Sequence, residues 1–198
     1  MKKIPTLYKR VYDEHGKVSA VLPEISEGIG FGIEEMIPTV KLDGTCCAVI
    51  GGELYRRYDA KRGKNPPEGA IPCEFEPDPV TGHWPHWVKV SDDPADKHHR
   101  KAFENWKFAM GSAPTDGTYE LIGRHFQGNP YNLSYDILVR HGRQEAELSE
   151  RSFEGVMQWM TEHNEEGIVF WDPTRSYPVC KIKRKDFGLD WPVKRGGV

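Results

Sequence analysis

Two adjacent glycines, Gly51 and Gly52, separate two segments that have the residue pattern of β-strands. Thr45–Ile50 is a short apolar run, and residues 53–59 place alternate side chains on opposite faces of an extended chain. A two-residue glycine connection accommodates the positive φ angles that tight hairpin turns require. This part of the chain is therefore predicted to fold as an antiparallel hairpin.

Two other segments have the periodicity of helices. Residues 94–110 begin after Asp93 with a proline in the first turn, and residues 149–164 begin near Ser149 or Ser152, either of which suits the N-cap. The side chains expected to face the core are Phe103, Trp106 and Met110 in the first helix and Phe153, Val156, Met157 and Met160 in the second.

Further strands are predicted at residues 31–40, 118–123, 135–140, 165–171 and 179–183. Several strands with antiparallel connections and two helices indicate an α+β fold. A chain of 198 residues is long enough for one domain with a sizeable core. We therefore expect a single domain over residues 1–198.

The composition is that of a soluble globular chain, with 37% hydrophobic and 29% charged residues. No apolar run approaches the roughly 20 residues that a membrane-spanning helix needs. The N-terminal residues lack the apolar segment of a signal peptide, and the four cysteines are few and unpatterned. We expect a cytoplasmic protein without a membrane partner.

The net charge of −3 argues against a protein that coats nucleic acid non-specifically. Basic residues are nevertheless concentrated at residues 56–64 and 181–185. One explanation is a cationic groove for a substrate that carries several phosphates. The other is a pair of solvated strands with outward-pointing charge, and the composition leaves both open.

Lys41 is the candidate nucleophile. It lies two residues before Asp43 and three before Gly44, at the entrance to the strand Thr45–Ile50. An amine there can attack a phosphate, and a glycine lets a second backbone approach closely. The same residues also fit a solvated lysine before a turn, so the interpretation depends on residues further along the chain.

An arginine and a glutamate follow Lys41 on predicted strands. The return strand of the hairpin is expected to bring an arginine back beside Lys41, with Arg57 as the first choice and Arg62 as the second. Glu120 lies on the strand at 118–123 and faces away from its apolar neighbours. Alone, such a glutamate is more typical of a surface position than of a ligand site.

A second glutamate and two lysines complete the pattern. Glu166 and Gly167 directly precede an apolar strand, and Lys181 and Lys183 share one face of the last predicted strand. Two lysines on one face of a half-buried strand require either a nearby anion or contact with water. Each of these features is weak alone, but their order along the chain is specific.

The ordered motifs resemble the covalent nucleotidyltransferase superfamily of ATP-dependent ligases and capping enzymes. The resemblance is closest to the 5′-to-3′ RNA ligase family known from vertebrates and extends over residues 40–192. The motifs that carry it are Lys41-Leu42-Asp43-Gly44-Thr45-Cys46-Cys47, Gly82-His83 with Pro85 and Trp87-Val88, Glu120-Leu121-Ile122-Gly123, Gly128-Asn129-Pro130-Tyr131 and Glu166-Gly167-Ile168-Val169.

The resemblance implies a nucleotidyltransferase fold, an ATP-grasp-like ligase adenylation domain with antiparallel sheets and flanking helices. The chain is shorter than family members that carry an appended module. A single adenylyltransferase domain over residues 1–198, without an OB or other C-terminal domain, is therefore expected.

The resemblance also implies residue roles. Lys41 would attack the α-phosphorus of ATP and hold AMP, while Asp43 orients it. Lys181 and Lys183 would favour the neutral amine of Lys41 by like-charge repulsion and stabilise charge on the phosphates. Glu166 would bind Mg²⁺, with Mn²⁺ as the alternative, directly or through water.

The remaining implied residues bind ATP. Glu120 would accept hydrogen bonds from the ribose hydroxyls, and Arg57 would contact phosphate, either of ATP or of an entering 5′-phosphate end. Arg62 and Val40 complete the implied ATP site.

The implied reaction joins RNA ends that carry a 5′-phosphate and a 3′-hydroxyl, as in RNA repair, through lysyl-AMP and an adenylylated RNA end. Two other interpretations compete with it. One is a DNA ligase or a capping-type guanylyltransferase, against which the expected lack of an OB domain weighs. The other is a non-catalytic nucleotide-binding module, although the intact set of Lys41, Glu166, Lys181 and Lys183 argues against a decayed site.

Overall fold

The computed structural model describes residues 4–193. Its strands are β1 (Tyr8–Tyr12), β2 (Val18–Ile25), β3 (Ile37–Lys41), β4 (Thr45–Ile50), β5 (Glu53–Ala60), β6 (Ile71–Pro72), β7 (Trp84–Lys89), β8 (Gly117–Ile122), β9 (Ile137–Arg140), β10 (Gly167–Trp171) and β11 (Pro178–Lys183). The helices are α1 (Lys97–Met110) and α2 (Phe153–Glu162), and short 3₁₀ segments cover Pro94–Asp96 and Arg184–Phe187.

The chain forms two compact units. The first unit comprises Asp43–His141, and the second comprises Ile4–Leu42 together with the described chain from Gly142 onward. The chain thus passes from the second unit into the first after Leu42 and returns after His141.

The first unit is built on a six-stranded sheet in the order β6-β7-β5-β4-β8-β9. Its neighbouring strands are antiparallel, and α1 packs against β5 and β9. The predicted hairpin is confirmed, with β4 and β5 joined at Gly51 and Gly52, whose φ angles are 60° and 77°. The buried core residues are Cys47, Val49, Leu54, Ala102, Tyr119, Leu121 and Leu138.

Gly44, just before β4, lies where another backbone approaches closely, as predicted. Thr45 of β4 is paired with Leu121 of β8. A Cβ atom built on Gly44 would overlap the carbonyl oxygen of Leu121. The glycine therefore allows β8 to come close to the start of β4, and here it is the protein's own backbone that uses the space.

The second unit contains a three-stranded antiparallel sheet in the order β11-β10-β3 and a separate β1–β2 hairpin. Helix α2 contributes to the same core. The buried residues of that core are Leu7, Tyr8, Met36, Ala146, Val156, Trp159, Met160, Ile168, Phe170, Cys180 and Ile182. Both units are thus mixed structures with antiparallel sheets and few helices, which agrees with the predicted α+β class.

Some expectations about individual elements were wrong. The β1–β2 hairpin was not predicted, and β3 begins at Ile37 rather than near residue 31. Met110 is exposed because it is the last residue of α1, where the helix ends at Gly111. Met157 is exposed because Trp159, rather than Met157, joins Val156 and Met160 on the buried face of α2.

The helix caps follow the sequence signals. Asp93 accepts a hydrogen bond from the backbone N–H of Ala95 at the start of the 3₁₀ segment that leads into α1. Ser152 accepts one from the backbone N–H of Gly155 at the start of α2. Within residues 4–193, no helix is both long enough and apolar enough to cross a bilayer.

Candidate active site

The register of the three-stranded sheet brings two of the predicted lysines together. Gly167, the first residue of the central strand β10, is paired with Lys41 at the end of β3 and with Lys183 at the end of β11. Val169 is paired with Lys181. Because directly paired residues point to the same face of a sheet, all three lysines lie on one face.

Gly167 is required at the centre of this arrangement. A Cβ atom built on it would overlap the carbonyl oxygen of Ile182 in the neighbouring strand. The adjacent carbonyl of Glu166 accepts a hydrogen bond from the backbone N–H of Arg184 at 2.9 Å. The close pairing of β10 with the end of β11 therefore fixes the backbone from which the Glu166 side chain projects.

Glu166 bridges two of the lysines. Its Oε2 atom accepts a hydrogen bond from Nζ of Lys41, and its Oε1 atom lies 2.5 Å from Nζ of Lys183. Glu166 is only 5% exposed, whereas both lysines are partly exposed. The unit thus holds a buried carboxylate between two ammonium groups that water can reach.

The charges in this cluster perturb one another. Burial by itself would raise the pKa of the Glu166 carboxyl, but the neighbouring charges of Lys41 and Lys183 outweigh it, so this pKa is lowered. Burial and the charges of Lys183 and Lys41 lower the pKa of Lys181 to about 8. The cluster carries more positive than negative charge, which favours an anionic ligand.

Asp186 supports the end of β11, a role that the sequence analysis missed. Its buried carboxylate accepts a hydrogen bond from the backbone N–H of Lys183 at 2.9 Å. The same carboxylate accepts two hydrogen bonds from the guanidinium of Arg10, at 2.8 and 3.1 Å. An acidic residue three positions after the strand end is the signal that was available for Asp186, whereas Arg10 comes from the hairpin that was not predicted.

Glu120 lies in the first unit and has a different environment. Its Oε1 atom accepts a hydrogen bond from the backbone N–H of Gly44 at 3.0 Å, and its Oε2 atom lies 2.9 Å from Nε2 of His141. The Nδ1 atom of His141 is buried without a hydrogen-bond partner among residues 4–193. The sequence analysis missed His141, which directly follows β9 and carries no local motif.

The loop between β8 and β9 contacts the residues that follow Lys41 in the sequence. The backbone N–H of Asp43 donates a hydrogen bond to the hydroxyl of Tyr131 at 2.6 Å. The side chain of Gln127 donates one to the carbonyl of Gly44 at 3.2 Å. The predicted motif that ends at Tyr131 therefore has a structural role in the first unit, which is to hold Asp43 and Gly44.

The other predicted ATP-binding residues have the following contacts. Arg57 donates to Asp59 of its own strand, and Arg62 packs against Gly82. The side chain of Val40 packs against the core of the second unit, and its backbone N–H donates to the carbonyl of Gln144. The predicted binding of ATP by these residues and by Glu120 stays a prediction, as does the orientation of Lys41 by Asp43.

Two comparisons with known proteins agree with each other. A family model described as RNA ligase 1 matches residues 107–196, a segment that includes Glu120, Glu166, Lys181 and Lys183. RNA ligase 1 of Pongo abelii is 26% identical in an alignment that covers 81% of this chain and 70% of that protein. These matches confirm the resemblance indicated by the motifs, because the chain is similar to RNA ligase 1 in both comparisons.

Proposed function

We propose that the protein is an ATP-dependent RNA ligase that joins a 5′-phosphate end to a 3′-hydroxyl end through AMP bound covalently to Lys41. The observation that carries the proposal is the pairing of Glu166 with both Lys41 and Lys183 on one edge of the β3–β10–β11 sheet. The relationship to RNA ligase 1 supports RNA as the substrate. The antiparallel architecture is compatible with the nucleotidyltransferase fold, which is part of the same proposal.

In the first step, Lys41 takes AMP from ATP. The ammonium loses a proton, and the neutral amine attacks the α-phosphorus. The new N–P bond forms as the bond from the α-phosphorus to the bridging oxygen breaks, so that pyrophosphate leaves. Loss of a second proton from nitrogen gives a phosphoramidate. In its resting state Lys41 is held by Glu166, so the amine becomes a nucleophile only when that ion pair separates.

Lys181 and Lys183 would place positive charge beside the phosphates of ATP. Lys183 contacts Oε1 of Glu166, whereas Lys41 contacts Oε2. A triphosphate that draws Lys183 towards itself would weaken this contact. Lys181, with its pKa lowered to about 8, gains a counter-charge when an anion binds. Because fixed charges in a partly buried site stabilise a developing negative charge without reorganising, both lysines would favour the departure of pyrophosphate.

Glu166 is suited to bind Mg²⁺ through a water molecule. Each oxygen of Glu166 already contacts a lysine ammonium group. Direct coordination would have to displace a lysine, so the carboxylate would bind the cation through a water molecule instead. Mg²⁺ retains several waters and takes most of its other ligands from substrate phosphates, which suits a site with one carboxylate. The ion would neutralise part of the triphosphate charge.

The later steps move AMP from the protein to RNA. An oxygen of the RNA 5′-phosphate attacks the phosphorus of lysyl-AMP, the N–P bond breaks, and an adenylylated 5′ end forms. The 3′-hydroxyl of the second end then attacks the 5′-phosphorus of the RNA. A phosphodiester bond forms and AMP leaves.

The first experiment is an intact-mass spectrum of the protein after incubation with ATP and Mg²⁺, beside a GTP control. We expect a mass gain equal to AMP with ATP and none with GTP. Lys41→Ala should lose the gain. The matched control is Lys89→Ala, because Lys89 makes an exposed ion pair with Glu53 and should be labelled normally at Lys41.

A second assay tests the substrate. Adenylylated protein is mixed with 5′-phosphorylated RNA or with DNA of the same sequence, and products are resolved on a denaturing gel. We expect joined RNA and little joined DNA.

Two outcomes of the mass spectrum would point elsewhere. A GMP adduct would favour a capping-type reaction. The absence of any adduct on folded protein would contradict the proposal and favour a non-catalytic nucleotide-binding module.

A further inference from the structure

A group of metal-ligating side chains lies in the first unit, apart from the lysine cluster. His98 is in the first turn of α1, and His125 and Asp136 lie in the loop between β8 and β9. Each offers one ligand atom, and these atoms all lie within 4.8 Å of one another. The rings of His98 and His125 are stacked, with centroids 3.7 Å apart and planes inclined by 17°.

Asp136 is held in a fixed position within this group. It is 5% exposed. Its Oδ1 atom accepts a hydrogen bond from the backbone N–H of His125 at 3.0 Å, and its Oδ2 atom lies 2.7 Å from Nδ1 of the same histidine. The His125 side chain is 41% exposed. An ion from solvent therefore has access to a carboxylate that is already oriented.

The neighbouring contacts keep the two histidines close together. His99, next to His98 on α1, packs edge-on against the ring of Phe126, next to His125 in the loop. His98 and His125 are thus presented as a pair by two adjacent contacts between α1 and the loop. Two imidazole nitrogens and one carboxylate oxygen form a donor set that suits Zn²⁺ and related ions better than Mg²⁺ or Ca²⁺, which prefer oxygen ligands alone.

We propose that His98, His125 and Asp136 bind one Zn²⁺ ion or an ion of the same class, with water at the fourth position. Because the lone pair of an imidazole nitrogen lies in the ring plane, the two stacked rings turn on binding so that one nitrogen of each faces the ion. His125 takes the tautomer in which its ligand nitrogen carries no proton. The ion would connect α1 to the β8–β9 loop. The same loop supplies Gln127 and Tyr131, which contact Gly44 and Asp43, so metal binding would stabilise the backbone that follows the nucleophile.

The test uses Co²⁺ as a spectroscopic probe on the full chain after removal of metal with a chelator. We expect saturation at one ion per chain and visible absorption typical of a four-coordinate site, with displacement by Zn²⁺. His98→Ala and His125→Ala should each weaken binding by about tenfold or more, because each removes one of three protein ligands. His15→Ala, at an exposed position, should bind Co²⁺ as the wild type does.

A second group, Cys46, Glu120 and His141, is the competing location for the ion. Binding there would produce a near-ultraviolet thiolate-to-cobalt band that Cys46→Ser removes. That result would overturn the proposal, as would wild-type affinity for Co²⁺ in both histidine variants or a lack of saturable binding to the folded protein. If His98→Ala is unfolded, His98→Gln replaces it. Because the readout is metal binding, the outcome is independent of whether Lys41 accepts AMP.

Discussion

The two site glutamates differ in what holds them. Glu166, in the second unit, is bridged by the ammonium groups of Lys41 and Lys183. Glu120, in the first unit, is held by the backbone N–H of Gly44 and by an imidazole nitrogen of His141. The Glu166 side chain is 7% exposed, and that of Glu120 is 15% exposed. Both are predicted to serve one nucleotide, but only Glu166 is held by two cations.

This difference indicates two kinds of carboxylate. Removing one partner of a buried charge cluster leaves the others uncompensated, which is costly. A carboxylate held by a backbone amide and an imidazole loses less when it is neutralised, because each contact can persist as an ordinary hydrogen bond. Glu166 should therefore control both the stability and the chemistry of its unit, whereas Glu120 should affect mainly ligand affinity.

Glu166→Gln should have the largest effect. The amide nitrogen that replaces one carboxylate oxygen cannot accept a hydrogen bond from the lysine beside it, and the three clustered cations lose their counter-charge. We expect formation of lysyl-AMP to fall by at least about 100-fold and the free energy of unfolding to fall by about 3 kcal/mol. Quenched-flow labelling with ATP and urea unfolding measure the two quantities.

The control for this change is the neighbouring glutamate. The Oε2 atom of Glu165 has no hydrogen-bond partner among residues 4–193, so Glu165→Gln should leave labelling within about twofold of the wild type. Normal labelling by Glu166→Gln would break the comparison, because the bridging carboxylate would then be dispensable.

Lys181→Met should change how stability depends on pH. The folded pKa of Lys181 is about 8, below its ordinary value of 10.5. Between these values the unfolded chain binds more protons, so this lysine makes stability rise with pH. Below pH 8 the folded protein bears the full free-energy cost of holding charged Lys181 in this partly buried, positively charged site. Above pH 10.5 the lysine is neutral in both states, and this cost is absent.

The methionine variant lacks that penalty. It should be more stable than the wild type at pH 7, by at most about 3 kcal/mol, and the advantage should disappear by pH 10.5. Urea unfolding of both proteins across this range measures the difference. A constant difference at every pH would show that Lys181 is not perturbed in the folded state.

Asp186→Asn tests the support behind Lys183. The single amide oxygen can accept a hydrogen bond either from Arg10 or from the Lys183 backbone, but not from both at their present positions. The variant also loses the negative charge that faces the guanidinium of Arg10. We expect a loss of about 1–2 kcal/mol in stability and a several-fold slower labelling step. Asp92→Asn, at a fully exposed position, is the matched control. Equal stability of the two variants would show that Asp186 does not support the end of β11 at Lys183.

Glu120→Gln and His141→Gln should have the smallest effect on stability, less than about 1 kcal/mol each. If Glu120 binds the ribose hydroxyls, both changes should raise the KM for ATP several-fold and leave the maximal labelling rate almost unchanged. Single-turnover labelling rates at a series of ATP concentrations separate these parameters. A drop in the maximal rate as large as that of Glu166→Gln would make the two carboxylates equivalent.

Much of this arrangement was predictable from local sequence. The β4–β5 hairpin follows from its glycine turn, and the shared face of Lys181 and Lys183 follows from strand alternation. The motif order predicted Lys41, Glu166 and Lys183 as one group, and the register through Gly167 confirms their proximity.

Other parts depend on contacts between distant segments. Arg10 contacts Asp186, which lies 176 residues further along the sequence. His141 contacts Glu120 because β8 pairs with β9. Neither contact has a local pattern, because the interacting residues come together only when the sheets form. The predictions of a single domain and of nucleotide contacts by Arg57, Arg62 and Val40 remain to be tested by experiment.

The central claim is that the amine of Lys41 carries AMP. The most direct test is to incubate the protein with ATP and Mg²⁺, digest it without exposure to acid, which would cleave a phosphoramidate, and locate the adduct by tandem mass spectrometry. The account predicts AMP on the peptide that contains Lys41 and none in Lys41→Arg. AMP on Lys181, Lys183 or any other residue would contradict it.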